Sequence, residues 1–279
     1  MSQTLSGVGV KRQYSLGYGL AVFYLFLVLL AVALPGLISH YDPLSADPLN
    51  SMLPPSWQHL LGTDQLGRDV LTRIIYGSRY SMLISLAAMA IAVTIGTMLG
   101  LLAGLGKGPV DEFISRTVDV ISAFPDLLLA LMLIAFTGPG TINLIFALGV
   151  ASIPRFTRVV RAQTFVVMSS GYVEQARTFG LKRRVLIWRH VLPHAIAHVP
   201  ALATLGLGTA IIGTAGLSFL GMGPQPPTAE WGLMLAEGRN YLRNAWWIAA
   251  FPGVAITLTV ISVNTLGRYW QAAFEGKQS

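Results

Sequence analysis

The sequence predicts an all-α, polytopic integral membrane protein with six spanning helices, and two observations lead there. The 279-residue chain is 53% hydrophobic and only 11% charged, whereas a soluble domain carries about 25% charged residues. Its apolar residues also gather into runs near the roughly 20 residues that cross a bilayer. Cysteine is absent, which excludes disulfides and thiolate metal sites. The formal charge of +7 could suggest nucleic acid. In a membrane protein the placement of the cations matters more, and no nucleic-acid partner is expected.

The spans are expected at residues 16–38, 81–105, 120–137, 141–160, 196–220 and 246–266. Lys11 and Arg12 precede the first, and no small-residue cleavage site appears before Pro35, so it reads as a retained anchor. The second carries Gly96, Gly100 and Gly104 on one face, where a partner helix can approach closely. Gly138-Pro139-Gly140 breaks the chain between the third and fourth, making them a hairpin. The uncharged core of the fourth, residues 141–153, is short. It spans only if Pro154 is tolerated and Arg155 and Arg158 snorkel to the interface. Pro125, Pro200 and Pro252 imply kinks satisfied by neighbouring helices.

Charge sets the orientation. With the N-terminus inside, inner segments hold fourteen of the nineteen Lys and Arg residues, among them Lys107 and Lys277. That bias places both termini and the long basic loop in the cytoplasm. The expected organisation is a cytoplasmic segment 1–15, one membrane domain 16–268 with a loop at about 161–195, and a cytoplasmic tail 269–279.

Within the loop, Tyr172 to Phe179 are good helix formers, with Val173, Ala176 and Gly180 on one stripe. Gly180 can end this helix in a left-handed conformation. Leu181, Val185, Trp188 and Leu192 then fall on one face, opposite Lys182, Arg183, Arg184 and Arg189, until Pro193 stops the run. On physics alone this hinged pair could lie flat on anionic lipid.

The residue pattern adds a second reading. Glu174-x-Ala176-x-x-x-Gly180, followed by His190-Val191-Leu192-Pro193, resembles the EAA loop of ATP-binding-cassette (ABC) importer permeases. In that family the loop is a coupling helix that inserts into a cytoplasmic ATPase. The resemblance implies this role for Glu174, Ala176, Gly180, Leu181, Val185, His190, Leu192 and Pro193; Gln175 replaces the usual Ala. Residues 59–69, with Gly62, Thr63, Asp64, Gly67, Arg68 and Asp69, are similar to the LGTDxxGRD signature of the dipeptide, oligopeptide and nickel permease subfamily, an extracytoplasmic segment beside the entry of the pathway. By itself the stretch is a polar loop whose His59 and two Asp fall short of a metal-ligand set. Gly216–Gly223 and Glu230-Trp231-Gly232 resemble the same subfamily, as do Ala245-Trp246-Trp247 and Phe251-Pro252-Gly253. The C-terminus departs from it: Arg268-Tyr-Trp270-Gln follows Gly267 without the usual acidic pair.

Asp126 follows Pro125 at one end of the third span, with Asp119 seven residues earlier on nearly the same face. An acid at membrane depth is a pathway candidate. Alternatively Asp119 pairs with Arg116 and Asp126 caps a helix. No catalytic constellation appears. Gly104-Leu-Gly106-Lys107-Gly108 fails the phosphate-loop pattern at Leu101 and Gly108, so the chain is not expected to be an enzyme or to bind a cofactor.

The resemblance implies a type I ABC importer permease in a prokaryotic inner membrane. It would pair with a second permease, two ABC ATPases that hold ATP and Mg, an extracytoplasmic binding protein and membrane lipid. The cargo is a peptide, nickel or a metal chelate, which the sequence does not separate. The rival is an ion-coupled secondary transporter, which would need ion-coupling residues and usually an internal repeat.

Overall fold

A computed structural model describes residues 16–106 and 108–275, with side chains through 272. The readings that concern segment 1–15, Lys107 and residues 276–279 lie outside the described residues. The helices are α1 Leu16–Ala33, α2 Pro35–Ile38, α3 Val70–Gly106, α4 Pro109–Ser122, α5 Asp126–Thr137, α6 Thr141–Met168, α7 Gly171–Thr178, α8 Arg183–Leu186, α9 Leu192–Ala195, α10 Val199–Phe219, α11 Trp231–Gly238 and α12 Trp247–Glu275. Five of them, α1, α3, α6, α10 and α12, are long and apolar enough to cross a membrane. The bent pair α4–α5 makes a sixth if counted as one span.

Several boundaries differ from those expected, each for a local reason. The third span does not run as one helix from residue 120. Pro125 lacks an N–H and cannot continue a helix, so the chain breaks there and α4 meets α5 at 88°. Asp119 and Asp126 therefore do not share a face. The fourth span continues past residue 160 to Met168 with Pro154 inside it. The second begins at Val70 rather than 81, because the residues before Ser81 pack inward. Pro35 ends α1 at Ala33 and starts a separate turn. Pro200 sits in the first turn of α10, where its missing N–H is one of the unpaired donors and no kink follows. The last helix passes residue 268, the expected edge of the domain, and reaches Glu275.

Gly96, Gly100 and Gly104 face α6. A Cβ on Gly96 would lie 2.6 Å from Cβ of Phe156, and one on Gly100 would lie 2.7 Å from the Thr157 carbonyl oxygen. The bare backbone of α3 thus lets α3 and α6 touch. Around this axis, Val70, Ile211, Trp231, Trp247 and Ile248 form one apolar core, and Ile84, Leu144, Leu148 and Leu217 form another. Amphipathic α4 packs Ile114 and Val118 against Ala103. Two ion pairs tie it to α6: Asp111 with Arg161, and Asp119 with Arg158 at 3.0 Å.

Candidate functional site

The residues singled out by sequence gather at opposite ends of α3. At its N-terminal end, the segment before Val70 folds into a loop closed by a single bridge between Thr63 and Asp69. Gly62 and Gly67 both take φ +76°, a left-handed turn that glycine adopts at little cost. At Gly62 the close approach is as important, since a Cβ would lie 2.6 Å from the Leu53 carbonyl oxygen. Thr63 Oγ1 accepts from Leu53 N at 2.8 Å and donates to the Asn50 carbonyl at 2.5 Å.

Asp64 is the hub. Its carboxylate accepts from the backbone N–H of Leu66 and Arg68 at 2.8 and 3.0 Å, and from Arg68 Nε at 2.6 Å. Arg73 Nε lies 3.5 Å away. Both guanidiniums also reach Glu237 of α11, Arg73 at 3.0 Å and Arg68 at 3.5 Å. Two cations and two anions therefore balance in a site where each Arg is 1% exposed. Unpaired, any of these charges would be costly to bury. Asp69 is used differently: one oxygen accepts from Thr72 N and Oγ1 at 2.8 and 2.7 Å, the other faces His59 Nδ1 at 3.0 Å. The His and Asp residues that raised the question of a metal are thus engaged with neighbouring protein groups.

Glu237 escaped the sequence reading. Its signal was a lone acid in the apolar run after Trp231. Glu230, read only as part of a motif, is wholly buried. It caps α11, accepting from Gly232 N and Leu233 N at 2.9 and 2.8 Å and from Ser81 Oγ at 2.9 Å. Burial pushes its carboxyl above the usual range, and these bonds pull partly against that.

At the other end of α3 lies the polar loop. In α7, Val173 is buried, Ala176 half-buried and Glu174 exposed in the first turn, where a negative charge favours the helix. Gly180 takes φ +79°. Leu181 N donates to the Ala176 carbonyl at 3.2 Å and Gly180 N to that of Arg177 at 3.0 Å, which satisfies the last carbonyls of the helix.

The segment after this hinge differs from the single continuous helix that the spacing suggests. Residues Ile187–Val191 form a π-helical turn between α8 and α9, and Leu192 N donates to the Ile187 carbonyl five residues back. The wider turn rotates α9 relative to α8. Leu186, Val191 and Ala195 are buried, the first two beside Val173 and Val167. Leu181 and Leu192 are only half-buried. Val185 and Trp188, with Phe179 of the hinge, point outward at 44%, 65% and 83% exposure. Pro193 does not stop the run but sits inside α9, because the π turn reorganises the carbonyls that its ring would strike. The half-buried His190 accepts at its carbonyl from His194 Nδ1 at 2.9 Å.

Asp126 stands apart from both ends of this arrangement. It is exposed in the first turn of α5, just past the bend. Asp119 pairs across to Arg158 rather than along its helix to Arg116, which lies 3.8 Å from Glu112.

With this geometry in hand, similarity to known proteins assigns the family. Residues 96–279 match the family described as "Binding-protein-dependent transport system inner membrane component". The chain is 41% identical to the probable D,D-dipeptide transport system permease protein of Escherichia coli (strain K12), over 88% of this chain and 83% of that one. It is 39% identical to the di/tripeptide transport system permease protein of Pseudomonas aeruginosa (strain UCBPP-PA14), over 92% and 86% respectively. It is also 40% identical to a glutathione transport system permease protein of Escherichia coli O6:K15:H31, over 95% and 88%. Among solved structures, the inward-facing MetNI methionine ABC transporter superposes with a TM-score of 0.60 at 18% identity, covering 73% of this chain and 96% of that one. An amino acid ABC transporter crystallised with histidines gives 0.59 at 16%, covering 73% and 94%; these two likenesses establish the shared fold. The chain therefore belongs to the binding-protein-dependent transport system inner membrane components, as a helical transport permease subunit.

Proposed function

We propose that this permease imports short peptides, of the di- to oligopeptide or glutathione size, by alternating access. The names of its peptide-transporting relatives supply the cargo class. The partners on this reading are a second permease, two ATPases that hold ATP and Mg, and an extracytoplasmic binding protein. Both termini and the loop after α6 face the cytoplasm, and the Asp64 network faces outward. ATP-driven closure of the ATPases moves the loop from Glu174 to Pro193, and the bundle opens outward.

One observation carries the coupling assignment. Phe179, Val185 and Trp188 are large apolar side chains held outward by a hydrogen-bonded hinge and a π turn. Exposed apolar groups on a rigid, polar loop mark an interaction surface. A groove on an ATPase would cover them, while the basic side chains beside them meet its rim. Asp126, exposed at the bend of the broken span, lines the pathway and favours cationic peptides.

The test is purification of the protein from its own operon in mild detergent, followed by mass spectrometry and an ATPase assay. Co-purifying ATPases, a second permease and peptide-stimulated turnover are expected. A lone or purely self-associated chain with no ATPase activity would overturn the proposal and favour the ion-coupled transporter.

A further inference from the structure

A cavity of about 500 Å³ lies between the end of α3, the end of α6 and the loop. Arg177 and Arg183 supply its charge, and Leu105, Met168, Leu186 and Ile187 much of its apolar wall. None of its described lining residues is acidic. Arg183 is anchored, since its Nη2 donates to the Leu105 carbonyl at 3.1 Å. That bond answers the exposed negative end of α3 and leaves the rest of the guanidinium for another partner.

The level of this cavity can be read from α4. The chain turns out of α3 at Gly106, a lining residue, and enters α4 at Pro109. Val110, Phe113 and Val120 of α4, with Phe124 just beyond it, are exposed at helical spacing, while Ile114 and Val118 pack inward. The polar side carries Asp111, Asp119 and their Arg partners on α6. A helix with one apolar side exposed, one packed and one ionic lies in the plane of the membrane interface. Its first turn begins beside the cavity, which is therefore level with lipid head groups. The neighbouring Lys182 and Arg184 extend the positive field.

From these observations we infer that the cavity binds the phosphodiester of an anionic glycerophospholipid of the cytoplasmic leaflet. The two guanidiniums hold the phosphate, and the apolar wall meets the upper acyl chains. Basic pockets at this level between helices take anionic head groups, and guanidinium matches phosphate geometry with paired donors. The loop then has two faces with two partners. The outward stripe at Phe179, Val185 and Trp188 serves the ATPase, and the inner side rests on a lipid held against α3. The assignment of leaflet rests on the orientation given under the proposed function.

The test is native mass spectrometry of the operon-expressed complex, incubated with phosphatidylglycerol, with phosphatidylcholine, or with inorganic phosphate alone. Retained phosphatidylglycerol in excess of phosphatidylcholine is expected. The double variant Arg177→Gln, Arg183→Gln should lower that retention on the order of thirtyfold, the effect of two basic side chains at an anionic surface. Arg177→Gln alone keeps the Arg183 anchor and should give an intermediate loss if the double variant does not fold. Arg116→Gln, an exposed cation on α4 outside the cavity, should leave retention unchanged. Equal retention of the two lipids, or an unchanged double variant, overturns the proposal. So does displacement of the lipid by inorganic phosphate, which would make this a site for a soluble anion. Lipid lost only when ATPase is bound would make the cavity part of the ATPase interface and overturn it as well. Absence of ATPase from the purified protein would count against the importer reading, while lipid retention is read independently on the permease.

Discussion

Replacing Asp64 by Asn tests the buried charge network most directly. The amide can keep the two backbone N–H bonds through one oxygen, but it offers no charge and turns N–H groups toward two guanidiniums. Arg68 and Arg73, each 1% exposed, are then left with Glu237 as their only anion among the described residues. Removing one partner of a buried pair costs about 3–5 kcal/mol. Each kcal/mol moves the melting temperature of a domain in this size class by about 2–4 °C, so the drop should be roughly 6–20 °C. Intrinsic fluorescence of detergent-solubilised protein reports it, with Trp231 and Trp247 in the adjoining core. A second variant checks the cause. Asp64→Asn with Arg68→Met removes one charge of each sign and should be milder than the sum of the single losses by at least about 1 kcal/mol. A single-variant shift below about 2 °C, or a strictly additive double variant, would refute the argument.

The geometry makes four further outcomes testable. Gly100→Val drives a side chain into the Thr157 carbonyl and Val160 and should cost about 1–3 kcal/mol, read as a lower melting temperature; an unshifted melt means that α3 and α6 part freely. Trp188→Glu should weaken ATPase pull-down about thirtyfold, the loss of a strong interface anchor, with membrane insertion intact; undiminished capture removes the loop from the coupling role. Asp126→Asn should reduce uptake of cationic peptides more than neutral ones in vesicles of the full complex, and equal losses return Asp126 to a helix-end role. Glu230 carries a pH prediction. A raised carboxyl stabilises the fold at low pH and loses that contribution as pH rises through its folded value, so the melting temperature should decline from its ordinary value near pH 4.5 upward. Glu230→Gln keeps an acceptor oxygen and should flatten that slope; parallel slopes in the two proteins disprove the link.

What the sequence revealed and what it hid both have physical causes. Uninterrupted apolar runs locate the spans, because length and hydropathy are local properties. The broken third span was hidden because α4 mixes Asp111, Glu112, Arg116 and Asp119 with its apolar residues, so the charge-poor run opens only at Val120, near its end. Pro125 signalled a break but not its angle. The signature around Asp64 was legible as a pattern, yet Arg73 pairs with Glu237 across 164 residues, and no local spacing encodes that. In the loop, Gly180 could be read from its position and chemistry. The π turn could not, since Ile187–Val191 fit an α-helical period equally well, and so the single face expected across Leu181, Val185, Trp188 and Leu192 was split.

With 37 residues, α3 measures about 55 Å at 1.5 Å per residue, well beyond the apolar thickness of a bilayer at about 30 Å. One end holds Arg73 in the buried ionic cluster, and the other is bonded through the Leu105 carbonyl to Arg183 of the loop. Such a rod makes a lever. If the loop end is pushed and the glycine seam along α6 serves as the fulcrum, a tilt of 10° displaces one tip relative to the other by about 10 Å over this length. A small stroke at the loop end is thereby magnified at the end that holds Arg73, with no need for a relay of side-chain rearrangements between them.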